Sequence, residues 1–198
     1  MTKNTQANFM MTPIHVVSCI VGVLRQYFGT EDRIAIDSSK YIWRADSKKT
    51  NVYISEEFND LRNAVGIRPM ILVGFPQSTF SKDVIGDFLE YMPDGGEVRN
   101  IGRTIGQIRL RCISDKALAS MELATEVKYF INVFRHQIQC AHRIDQLRPN
   151  SMQGPARIEE YKEYWTTDCV CDILYQENWS IAIETLKIKS IGIQLNSK

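Results

Sequence analysis

Excess charge of one sign is absent from this 198-residue sequence: 24 lysines and arginines stand against 23 aspartates and glutamates. That balance removes the electrostatic case for wrapping nucleic acid or lying on an anionic membrane, while leaving local patches open. No apolar run reaches the eighteen or so residues that a membrane span requires. The opening Met1-Thr2-Lys3-Asn4-Thr5-Gln6-Ala7-Asn8 is too polar for a signal peptide, so the chain is expected to stay in the cytoplasm where it is made. Histidine is scarce, at three residues, and no serine sits in a Gly-x-Ser-x-Gly turn, so a catalytic triad has no signature. Gly102 and Gly106 precede no Gly-Lys-Ser or Gly-Lys-Thr and make no phosphate loop.

The five cysteines, Cys19, Cys112, Cys140, Cys169 and Cys171, are odd in number and lie in apolar surroundings, which reads as reduced, buried thiols. One residue separates Cys169 from Cys171, which is not redox-pair spacing; on a strand both would face one side, into the core. His136, Cys140 and His142 have a metal-like spacing but no second pair of ligands at a matching separation. The carboxylates Glu56, Glu57, Asp60, Glu159, Glu160 and Glu163 read as solvated surface. No catalytic, cofactor or metal residue is therefore assigned, and the chain is not expected to be an enzyme.

What is there is an ordinary soluble globular composition, 44% hydrophobic and 24% charged, of a length that suits one domain over residues 1–198. The longest periodic stretch runs from Ser114 to about Gln139. Ala117, Met121, Ala124, Val127, Ile131, Phe134 and Ile138 recur there at the spacing of one helix face, flanked by Leu118, Phe130 and Val133. Ser114 and Asp115 offer N-caps, and Arg135, His136, His142 and Arg143 suit the far end of the helix dipole. The width of the stripe predicts burial against a sheet. A first helix is predicted over 13–28, opened by Thr12-Pro13 and stopped by Gly29, with Gly22 in it suggesting a close backbone contact.

Asn51 to Ser55 alternates as a short strand, and Arg68 to Gly74 is an apolar run of strand length. Residues 103–113 alternate, with Ile108, Leu110 and Cys112 on one side and Gln107, Arg109 and Arg111 on the other. Tyr164 to Gln176 and Trp179 to Ile183 alternate again. Residues 1–11 are expected to form a mobile arm, 75–100 a long loop, 148–155 a loop, and 179–198 an extended C-terminal segment. The order predicts an α+β domain with helices packed on an antiparallel or mixed sheet. Arg99, Arg103, Arg109 and Arg111 gather positive charge along one strand. They read either as the solvated polar face of a half-covered sheet or as a basic face turned to a channel or to another subunit. Apolar residues on arms and loops, without an active-site constellation, point to a building block held by subunit contacts.

The layout resembles the neck proteins of tailed bacteriophages, and among them the tail terminator or tail-completion family. The resemblance is carried by Tyr53-Ile54-Ser55-Glu56-Glu57-Phe58, by Ile67-Arg68-Pro69-Met70-Ile71-Leu72-Val73 and by Gly106-Gln107-Ile108-Arg109-Leu110-Arg111-Cys112-Ile113. It continues in the helix from Ala117 to Phe134, with Glu122, Ala124, Thr125 and Glu126, and in Asp168 to Trp179. The resemblance implies a sheet flanked by two α-helices and a homo-oligomeric ring, typically of six copies, around the DNA channel of a virion. Its partners would be neck or adaptor and tail-tube proteins, with DNA passing through unread and no membrane; no cofactor and no catalytic residue come with the family. A cytoplasmic binding module or small enzyme with a loop-built site is the alternative, and a nucleic-acid binder a third reading.

Overall fold

The computed structural model describes residues 11–31, 34, 40–46, 48–57, 69–80, 88–92, 97–159 and 161–182. The arm expected over 1–11 falls outside them except for Met11, as does the C-terminal segment beyond Ala182. Helix α1 spans Pro13–Phe28. Thr12 caps it by accepting from the His15 amide, the His15 ring reaches back to the Thr12 amide, and Pro13 fills the first position, where no amide donor is needed. The Gly29 amide closes it on the Arg25 carbonyl. Gly22 is exposed, and an added Cβ there would meet nothing within 4 Å, so the expected close contact is not made.

Seven strands form one mixed sheet: β1 (Tyr53–Glu56), β2 (Met70–Phe80), β3 (Phe88–Met92), β4 (Glu97–Ser114), β5 (Ile144–Met152), β6 (Ala156–Arg157) and β7 (Trp165–Ala182). The order is β1-β2-β4-β7-β5, with β3 on the outer part of β4 and β6 on the start of β7; among the described residues only the β1–β2 pair is parallel. The fold is α+β, with the two described helices on the same face of the sheet. Ile71 and Val73 of β2, Ile108, Leu110 and Cys112 of β4, and Cys169, Cys171, Ile173 and Tyr175 of β7 meet α1 and the second helix, α2 (Ala117–His142), in one core.

Along α2 the buried arc is Ser120, Leu123, Ala124, Glu126, Val127, Phe130, Ile131 and Ile138. Met121, expected in the stripe, is 41% exposed, and the flanking Leu118 and Val133 are 70% and 45% exposed. Two polar residues enter the core because each has a partner there. The Ser120 and Thr167 hydroxyls meet at 2.9 Å, and Tyr27 of α1 donates to the Glu126 carboxylate while its ring packs on Phe130 and Phe134. The helix is thereby rolled away from the face that apolar spacing alone selects. Its N-cap is Lys116, with no side-chain bond; Ser114 ends β4 and donates to Asp115. At the other end Arg143 turns the chain into β5 with φ 54°, a left-handed conformation usually left to glycine.

Two stretches expected as loops are largely strand. Residues 75–100 hold the end of β2, all of β3 and the start of β4, while 148–152 lie in β5. Backbone pairing along the two 18-residue strands β4 and β7 organises these polar segments, and β5 takes in Pro149 through a register shift between Pro149 and Ser151.

Candidate functional site

Among the described residues the second face of the sheet carries no helix. Its lower end is closed by Ile158, Tyr161 and Tyr164, which pack on Tyr53, Met70, Leu72 and Ile113. Above this small cluster the outward side chains of β4 and β7 form a charged network. Glu57, one residue past β1, is held by its amide on the Val73 carbonyl, and its side chain crosses β2 over Gly74. A Cβ at Gly74 would lie 1.8 Å from Glu57 Oε2, so only glycine leaves that path open. Glu57 Oε1 accepts from Arg109 Nη2 at 2.7 Å and lies 3.0 Å from Arg111 Nη1. Arg111 Nε donates to Asp168 Oδ1 at 3.4 Å, which also accepts from the Thr166 hydroxyl. Further along, Gln107 and Asn150 both donate to Asp172.

Of the four arginines that the sequence groups, Arg109 and Arg111 are thus brought together by a carboxylate between them. Arg103 lies about 20 Å further along the strand, at roughly 3.3 Å per residue, where it is exposed and 3.9 Å from Asp145. Arg99 stands in register with Glu90 and Ser180, and its side chain is outside what is described. Glu57, read as a solvated carboxylate in the sequence, is in fact only 17% exposed. Its signal was the isolated Gly74 at the end of an apolar strand, which marks a close approach. Arg109 Nε is buried without a hydrogen-bond partner. Glu57 and Asp168 match the charges of Arg109 and Arg111, and this part of the network pins the edge of the sheet to its centre.

Three thiols, Cys112, Cys169 and Cys171, lie buried in the core. Burial holds the Cys112 thiol well above its ordinary pKa, and the hydrogen bond to Cys169 together with burial does the same for Cys171, so both stay protonated and unreactive. His136 and Cys140 border a cleft of about 740 Å³ at the end of α2, with Cys19, His142, Asp145 and Gln176. Among the described residues no group of three or more His, Cys, Asp or Glu is placed to hold a metal ion.

The outer side of α2 differs in kind. Leu118, Met121, Tyr129 and Val133 follow one another along it, 41–70% exposed, opposite the arc that anchors the helix in the core. Around the corner, Val23, Tyr27, Phe130, Phe134 and Ile138 line a mainly apolar groove of about 390 Å³ between the helices. Sequence spacing assigned three of the four ladder residues to the buried side, so this surface was not visible in advance. No family model and no curated protein matches the chain.

Proposed function

We propose that this chain is a structural subunit of a tailed-bacteriophage neck, forming a homo-oligomeric ring of the tail-terminator kind, typically of six copies. The ring closes the tail tube and joins it to the head connector, and it works by shape and contact, with no bond made or broken. The observation that carries the reading is the apolar ladder Leu118–Met121–Tyr129–Val133 on a helix otherwise fixed in the core. A row of large apolar side chains kept in water is a surface for another protein. The α+β architecture and the motif resemblance support the same reading. DNA would pass through the ring, and Arg99, Arg103, Arg109 and Arg111 would lie toward the channel or a neighbouring subunit, Arg109 and Arg111 already largely neutralised by Glu57 and Asp168.

Electron microscopy of the purified protein, and a search for it in particles of the phage that encodes it, test the proposal. Rings, and a place at the head-tail junction, are expected; a protein absent from the particles ends the reading. A binding module is the second reading, favoured by the cleft at the end of α2.

A further inference from the structure

A sheet exposes rows of backbone donors and acceptors at its edges, and soluble proteins block them. Both edges of the helix-covered part are blocked here. In β1 the amides of Tyr53 and Glu57 point to β2, so the backbone carbonyl of Ile54 between them points to the open edge, where it accepts from Arg25 Nη2 at 2.8 Å and Nε at 3.2 Å. The Arg25 guanidinium is itself held over the Trp43 ring. Strand β5 breaks register twice, between Ile144 and Gln146 and between Pro149 and Ser151, and Pro149 has no amide hydrogen to offer.

Beyond this body β4 and β7 continue as a tongue. Strand β2 leaves β4 at Thr104 and β5 leaves β7 at Tyr175, yet β4 and β7 stay paired without a shift from Arg103↔Gln176 to Glu97↔Ala182. Strand β3 joins the other side of β4, also without a shift, from Phe88↔Ile101 to Met92↔Glu97. Among the described residues nothing pairs with the outer edge of β3 or with the outer edge of β7 from Gln176 to Ala182. Neither segment, Phe-Leu-Glu-Tyr-Met or Gln-Glu-Asn-Trp-Ser-Ile-Ala, holds a proline or a bulge, and each carries a single charge, Glu90 or Glu177, against strand addition. Among the described residues, two regular edges without proline or bulge thus lie at the same end of the sheet, while the edges of β1 and β5 are blocked.

We propose that these edges pair with each other between copies: Gln176–Ala182 of one subunit lies beside Phe88–Met92 of the next. Since β3 and β7 are each antiparallel to β4, they run the same way, and the junction is a parallel pair. Each copy offers one edge of each kind, so the contact is head-to-tail and repeats until a ring closes with no edge left. This rests on the ring reading and names the contact that would close it.

The test uses the full chain with Cys140→Ser as background. Within one chain Glu90 and Ser180 both pair with Arg99, so they share a face of the sheet two strand spacings apart, about 9.5 Å, beyond the roughly 7 Å that a disulfide spans; any bond between cysteines placed there joins two copies. Glu90→Cys with Ser180→Cys is expected to give a ladder of covalent multimers on oxidation. The two single variants are expected to give dimers only when mixed. Hydrogen exchange of the unaltered protein should slow by about tenfold or more in 88–92 and 176–182 on assembly, and stay unchanged in β1 and β5. Efficient dimers from Glu90→Cys alone would overturn the head-to-tail contact. An oligomer protected only on the outer side of α2 would overturn the edge pairing and leave the ring standing; a monomer would overturn both.

Discussion

Replacing Gly74 with alanine is expected to unpin the edge of the sheet. The added methyl would sit 1.8 Å from Glu57 Oε2 and 3.0 Å from its carboxyl carbon, so the Glu57 side chain must leave its path across β2. With it go the contacts at 2.7 Å to Arg109 and 3.0 Å to Arg111. Side-chain exposures of 17% for Glu57, 30% for Arg109 and 24% for Arg111 place the cluster between a surface pair and a buried one. The cost should be about 2–3 kcal/mol, above the 0–1 of exposed pairs and below that of a broken buried pair. Urea denaturation of Gly74→Ala, Glu57→Ala and the double variant measures it. Once the carboxylate is gone, the nearest part of residue 57 is a Cβ at 3.3 Å, tight but tolerable. Gly74→Ala should then cost less than about 1 kcal/mol, and the pair should couple by about 1–2 kcal/mol. An equal cost in both backgrounds would refute the reasoning and assign Gly74 a purely backbone role.

Leu118→Glu and Val133→Glu should shift the protein toward smaller species in sedimentation while leaving its melting temperature within a few degrees, because both side chains are exposed in the single chain. Arg143→Gly should stabilise the fold by about 0.5–1 kcal/mol, since glycine takes φ 54° without strain; a loss of stability would mean that the side chain is needed. Burial raises the Cys112 thiol, which favours the protonated folded state, so its stabilisation is complete below the unfolded value near 9.0 and is lost as pH rises above it. The slope from this thiol should reach about 1.4 kcal/mol per pH unit, and Cys112→Ala should remove it in denaturation curves between pH 8 and 10.5.

Local signals made α1 legible. Thr12-Pro13 and Gly29 bound it, and its helical spacing selects Val17, Ile20, Val21, Leu24, Tyr27 and Phe28, all buried, while Ile14 at the same spacing is 63% exposed and Val16 is buried instead. The alternation in β4 likewise separated Ile108, Leu110 and Cys112 from Gln107, Arg109 and Arg111, which lie on opposite faces. The roll of α2 was hidden because Ser120 and Glu126 are buried by partners 47 and 99 residues away, which no local period encodes. Residues 75–100 looked like loop because their composition is polar, whereas their pairing is decided by the backbone of β4. The Glu57 network was half visible: its arginines stood out in the alternation, but the carboxylate reaches them only across a glycine in another strand.

Mass photometry of the purified chain over a range of concentrations tests the central claim most directly. The account predicts a discrete multiple of the 22.8 kDa chain, six copies in a closed ring, lost in Leu118→Glu. A single-chain mass at every concentration, in a protein that melts cooperatively, would contradict it.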